Sequence, residues 1–124
     1  MKSEGLNTKD RKEDMDCIFC NIAEGKTNSR VVFQNEEIIA FDDIHPQAPI
    51  HILIIPKKHI QSLNQIEDND LPLLTRMLVT AKTIAKQVNI YDSGYRLVIN
   101  TGKEGGQVIQ HLHLHLLGGK QLRG

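Results

Sequence analysis

Near the end of the chain, Gln110-His111-Leu112-His113-Leu114-His115-Leu116 alternates three histidines with three leucines. Successive side chains of a β-strand point to opposite faces, so His111, His113 and His115 share one face and the leucines share the other. At about 3.3 Å of rise per residue, neighbouring imidazoles sit roughly 6.6 Å apart. Wound as a helix, the same run scatters its histidines around the axis, so a strand is predicted. Half of the six histidines fall in these five positions. Three uses suit such a face: a solvated surface, a metal site in which histidines at i and i+2 chelate one ion, or catalysis by groups that titrate near neutrality. Gly102, Gly105 and Gly106 lie just upstream. A glycine-rich turn entering the strand offers backbone N–H groups beside the imidazoles, which suits an anionic group such as phosphate and favours catalysis.

The remaining composition narrows the field. At 124 residues the chain is read as one domain. Fifteen basic and fifteen acidic residues cancel, leaving no global field to draw in nucleic acid or an anionic membrane. Aromatic residues make up 4% and Trp is absent, which argues against a base-stacking platform. The N-terminal stretch, residues 1–15, is polar and charge-mixed. It is expected to be a disordered tail, with the folded domain over residues 16–124. It holds no apolar run of signal-peptide type, and no segment approaches the ~18 apolar residues of a membrane span. A cytoplasmic protein is expected.

Cys17 and Cys20, the only cysteines, form a C-x-x-C. In a reducing compartment that spacing marks a metal half-site or redox pair more than a structural disulfide. With no second C-x-x-C, zinc would need histidines, and His59 and His111 are the candidates; two buried reduced thiols are the alternative. The segment Cys17–Ala23 reads as a short helix with Ile18, Phe19 and Ile22 facing inward. Val31–Gln34 and Ile38–Phe41 read as a hairpin around Asn35-Glu36-Glu37. His51–Ile55 forms an apolar strand ending at Pro56, expected beside the triad strand with His51 turned toward the other histidines. Asp70 is read as the N-cap of one long helix running to about Asn89. Its apolar stripe is Leu71, Leu74, Leu78, Ala81, Ala85 and Val88, widened by Met77 and Ile84. Tyr95–Asn100 is the next strand.

The triad run followed by Gly118-Gly119 resembles the histidine-triad (HIT) superfamily, specifically its Hint branch of purine nucleoside phosphoramidases. Asp16-Cys17-Ile18-Phe19-Cys20, Ala40-Phe41-Asp42-Asp43-Ile44, Pro46-Gln47-Ala48-Pro49, Ile55-Pro56-Lys57-Lys58-His59 and Gly94-Tyr95-Arg96-Leu97-Val98-Ile99-Asn100 carry the same resemblance. It implies an α+β fold: a five-stranded antiparallel sheet with one long and one short helix, in a homodimer formed through the long helix at about residues 70–89. Some HIT relatives hold zinc on ligands resembling Cys17, Cys20, His59 and His111, and many Hint members with these cysteines hold none.

The resemblance also implies a reaction that requires no cofactor. His113 attacks the α-phosphorus of a nucleoside 5′-phosphoramidate, expels the amine and leaves a nucleotidyl-histidine for water to hydrolyse. His115 bonds the phosphate and protonates the leaving nitrogen, while His51 and His111 orient the others. Asp43 takes the ribose hydroxyls, Asn100 reaches ribose or phosphate, and backbone near Gly106 supports the phosphoryl charge. Ile18, Phe19, Ile22, Phe41 and Ile44 complete the nucleotide site. Val108 stands where some Hint members carry serine. The alternatives are a dinucleoside polyphosphate hydrolase, a metal protein using His111 and His113 with Cys17 and Cys20, and a nucleotide-binding regulatory protein.

Overall fold

The computed structural model describes residues 17–124; the expected tail lies outside the described residues. Helix α1 (Ile18–Ala23) leads into strands β1 (Val31–Gln34), β2 (Ile38–Asp42) and β3 (Ile50–Pro56), then helix α2 (Leu71–Gln87), and strands β4 (Tyr95–Val98) and β5 (Leu114–Gly118). The strands form one antiparallel sheet in the order β1-β2-β3-β5-β4. This is the expected α+β architecture.

Alternation divides the sheet into two faces. Ile38, Ala40, Ile52, Ile54, Leu112, Leu114 and Leu116 point to one side and pack against Leu73, Met77, Ala81, Ile84 and Ala85 of α2. On the other side, Ile39, Phe41, Leu53 and Ile55 pack against Phe19 and Ile22 of α1. His115 lies opposite Leu53 in the β3–β5 register and therefore shares this second face. The leucines of the triad run thus anchor the main core, and the histidines project on the far side.

Four details differ from the sequence reading. Strand β5 starts only at Leu114, so His111 and His113 lie in the extended segment before it. Strand β3 ends at Pro56, which has no ladder donor to offer, and the Leu112 N–H donates to the Ile60 carbonyl instead (2.7 Å). Strand β4 stops at Val98, leaving Asn100 in the turn beyond. Asp70 precedes α2 but makes no side-chain cap to it. Its carboxylate instead accepts from the Glu67 N–H and from Lys58, closing a capping box on the preceding 3-10 turn.

The buried face of α2 is also rotated from the predicted stripe. Leu73, Met77, Thr80, Ala81, Ile84 and Ala85 are buried, whereas Leu71, Leu78 and Val79 are exposed. A broad apolar helix offers several stripes, and only the sheet's position selects the one that is covered. The helix ends as expected, with Asn89 in the left-handed conformation (φ 64°) just past the cap.

Met77 is fully buried and Leu71 half-exposed, so the two truncations separate the faces. Met77→Ala is expected to cost about 2–5 kcal/mol, and Leu71→Ala within about 0.5 kcal/mol, by urea denaturation. Equal losses would place the core face incorrectly.

Candidate active site

Between α1, the β2–β3 connection and the turn before β5 lies a cavity of about 430 Å³. Ile18, Phe19, Ile22, Phe41 and Leu53 form an apolar wall, with Ser29 and Ile109 beside it. Asp43, Asn100, His113 and His115 supply polar groups, and Ile44 and Gly106 also line the space. All eight predicted nucleotide-site residues therefore meet in one cavity, although they span residues 18 to 106 of the chain. Ile18 and Ile44 do not face the core: they are 47% and 80% exposed, at the mouth. Ser29, Leu53 and Ile109 were not singled out by sequence, since small and apolar residues outside a motif carry no positional signal. Val108 also lines the mouth and is 83% exposed.

The histidines are held by bonds whose direction follows from the partners. A carbonyl oxygen only accepts, so the 2.7 Å contact between His113 Nδ1 and the His111 carbonyl requires an Nδ1–H on His113. Its Nε2 consequently carries a bare lone pair. The Gln47 N–H donates to His51 Nδ1 (3.1 Å), which leaves the proton of His51 on Nε2. That Nε2–H meets His115 Nδ1 at 3.0 Å, with Asp43 Oδ2 at 3.4 Å. His115 then keeps its proton on Nε2. The His113 and His115 rings lie 4.9 Å apart, the first with a lone pair on Nε2 and the second with an Nε2–H. Gln47 is a positioning group that sequence reading missed, because it acts through its backbone.

Burial of His113 lowers its basicity, opposed by its bond to the His111 carbonyl and by the Asp43 charge. Burial lowers His115 further, to about 4, helped by the nearby His113 and His51 and opposed by Asp43. Lowered basicity favours the neutral form of both rings, one presenting a lone pair at Nε2 and the other an Nε2–H.

The Gly102–Gly106 turn differs from expectation. The Gly105 N–H donates to the Gly102 carbonyl and the Gly106 N–H to the Lys103 carbonyl, so both are spent inside the turn. The tight geometry explains the glycines: a Cβ on residue 105 would stand 2.3 Å from the Thr101 carbonyl oxygen, and Gly106 has φ +85°. Asn100 Nδ2 donates to the Gly105 carbonyl (2.9 Å). Buried Gln107 ties the turn to the Gln61 and Ile109 carbonyls and accepts from the Gly102 N–H.

His111 belongs to a different cluster. Its Nε2 donates to the Pro56 carbonyl (2.8 Å), which turns a bare Nδ1 toward Cys17 Sγ (3.3 Å), Cys20 Sγ (3.5 Å) and His59 Nδ1 (3.2 Å). Cys20 Sγ and His59 Nδ1 are 3.1 Å apart, and all four donors lie within 4.8 Å of one another. Tetrahedral zinc, with Zn–S near 2.3 Å and Zn–N near 2.05 Å, needs donor separations of roughly 3.3–3.8 Å. The donor set fits. The donors that converge are Cys17, Cys20, His59 and His111, without His113, so the expected pairing of His111 with His113 on one ion is not formed among the described residues.

The depressed basicity of His115 has a consequence for stability. Between about 4 when folded and 6.5 when unfolded, the unfolded chain binds more protons, so stability rises with pH across this window. The melting temperature is expected to fall as pH drops from 6.5 toward 4. The fall should be shallower in His115→Gln, measured by thermal melts at matched ionic strength; an unchanged slope would refute the assignment.

The family model "Scavenger mRNA decapping enzyme C-term binding" matches residues 16–123. An uncharacterized HIT-like protein of Buchnera aphidicola subsp. Baizongia pistaciae is 51% identical over 105 residues, 85% of this chain and 94% of that protein. The crystal structure of a HIT family hydrolase from Legionella pneumophila Philadelphia 1 matches with a TM-score of 0.85 and 50% identity, over 87% of this chain and 96% of that one. A more distant neighbour is a Zn-bound histidine triad family protein from Mycobacterium smegmatis, with TM-score 0.74 and 26% identity over 86% of this chain and 77% of that one. With its alternating histidines leading into β5 and these matches along nearly its whole length, the chain belongs to the histidine-triad superfamily, as a protein similar to that superfamily's hydrolases.

Proposed function

We propose that the protein is a nucleotide hydrolase that cleaves the P–N bond of purine nucleoside 5′-phosphoramidates. The observation that carries this reading is the complementary protonation of His113 and His115 at one cavity: a bare Nε2 beside an Nε2–H donor. The His113 Nε2 lone pair forms a bond to the α-phosphorus as the P–N bond to the amine breaks. His115 gives its Nε2 proton to the departing nitrogen. Water then attacks the phosphorus of the nucleotidyl-histidine, its hydroxyl staying on phosphorus and its proton passing to His115 Nε2, as the phosphorus–histidine bond breaks and the 5′-monophosphate leaves. By donating to His115 Nδ1, the His51 N–H keeps the returning proton on Nε2, and the His111 carbonyl keeps the His113 proton on Nδ1 throughout.

The apolar wall of Ile18, Phe19, Ile22 and Phe41 suits a purine, and Asp43, just past β2, suits the ribose hydroxyls. Asn100 has a second amide hydrogen for a phosphate oxygen, after bonding Gly105 with the first. Because the Gly105 and Gly106 N–H groups are engaged, the phosphate is gripped by Asn100 and the imidazoles. Val108 adds no hydroxyl. The match to a decapping-enzyme family favours a second reading, hydrolysis of a dinucleoside polyphosphate, in which the same attack expels a nucleoside phosphate.

Cys17, Cys20, His59 and His111 would hold a zinc ion, whose role there would be to crosslink α1 to the segments that follow β3 and precede β5. The donor spacing supports this, as does the Zn-bound neighbour from M. smegmatis. The reading includes a homodimer through α2, supported by exposed Leu71, Leu78 and Val79 on its outer side. Leu78→Glu is expected to convert a dimer to monomer by sedimentation equilibrium; a wild-type monomer would refute that part.

The deciding experiment is hydrolysis of adenosine 5′-phosphoramidate and of diadenosine tetraphosphate by wild type and His113→Ala. Faster turnover of the phosphoramidate is expected, with a loss of at least about 10⁴-fold in the variant, as for removal of a covalent nucleophile. Preference for the polyphosphate would select the second reading. Binding of AMP without turnover of either would replace both with a regulatory protein.

A further inference from the structure

His111 sits at a junction. Its ring points a bare Nδ1 into the Cys17–Cys20–His59 cluster, while its own carbonyl oxygen holds the Nδ1–H of His113 at 2.7 Å. A second contact crosses the same boundary. Phe19, the residue that links Ile18 to Cys20 in the C-x-x-C, lies edge-on to both imidazoles, with centroids 6.0 Å from His111 and 5.1 Å from His113. The backbone at residue 111 therefore cannot shift without carrying the acceptor that sets the nucleophile's tautomer.

The cluster is accessible in the folded protein. His59 is exposed and Cys17 half-exposed, and both line an open groove of about 520 Å³ that adjoins the nucleotide cavity at Ile18, Val108 and Ile109. A metal ion can thus enter and leave without unfolding, whereas Cys20 and His111 at the floor are buried. The His59 and His111 Nδ1 atoms lie 3.2 Å apart, and both face Cys20 Sγ, at 3.1 Å and 3.5 Å.

We propose that His111 is a positioning residue through which occupancy of the Cys17–Cys20–His59–His111 cluster sets the aim of His113. The inference rests on reading the cluster as a zinc site. A metal ligand bond at Nδ1 would hold the ring on one side while the Pro56 carbonyl holds its Nε2–H on the other, and with the ring the residue 111 carbonyl. Loading the cluster narrows the range of His113 orientations, and stripping it broadens that range. The effect falls on the reacting geometry rather than on the ribose end, where Asp43 faces His51 and the His45 N–H instead of a cluster ligand.

The test uses the full chain, stripped by chelator and then reloaded with Zn²⁺, as wild type and as His59→Ala. His59 is exposed and outside the nucleotide cavity, so its removal opens the cluster while sparing the fold. Three readouts are needed: zinc bound per chain, ring ¹⁵N shifts of His113, and kcat and KM on the phosphoramidate. Zinc binding is expected to sharpen His113 to a single Nδ1–H tautomer, and to raise kcat on the order of tenfold with KM changed less than about twofold. His59→Ala should show neither response. Zinc bound with unchanged His113 signals would overturn the coupling and leave the zinc site standing. Failure to bind zinc would overturn both. A His113 response without hydrolysis of any substrate would support the coupling and remove the hydrolase reading instead.

Discussion

The antiparallel pairing of β3 with β5 is the constraint on which the rest depends. Opposing Leu53 with His115, and Ile52 with Leu116, settles which side of the sheet each residue occupies. A slip of one residue would send the leucines out of the core and the histidines into it. That error is prohibitive, because Leu112, Leu114 and Leu116 are almost fully buried against α2. Hydrophobic burial on one face therefore enforces chemical precision on the other.

From that register the site is built by carbonyls and backbone amides more than by side chains. The His111 carbonyl fixes His113, the Gln47 N–H fixes His51, and His51 in turn fixes His115. Each bond selects one of two imidazole tautomers. The outcome is two neighbouring rings with opposite roles, although their covalent structures are identical. Burial reinforces the arrangement by disfavouring the charged form of both His113 and His115.

His111 marks the division of labour within the triad. It is fully buried and outside the nucleotide cavity, contributing a ring to the cysteine cluster and a carbonyl to its neighbour. The extended segment that carries it leaves β3 at Pro56 and pairs with Ile60, so the chain bends away from the sheet between the first and third histidines. This bend lets one run of alternating residues serve two clusters.

Much of this was legible in the sequence. Alternation at residues 110–116 predicts histidines on one side and leucines on the other, and the leucines do reach the core, although the strand itself begins only at Leu114. The C-x-x-C, the hairpin at Asn35 and the extent of α2 were likewise local patterns with local causes. Which stripe of α2 is buried was not legible: Leu73 and Leu78 are the same residue type, and only the sheet's position tells them apart. Nor was the engagement of the Gly105 and Gly106 amides, which depends on how the turn closes on itself. The tautomers are the clearest case. Residue type determined that imidazoles would be present, but each proton's place was decided by an acceptor or donor brought from elsewhere in the chain, and only the folded backbone supplies it.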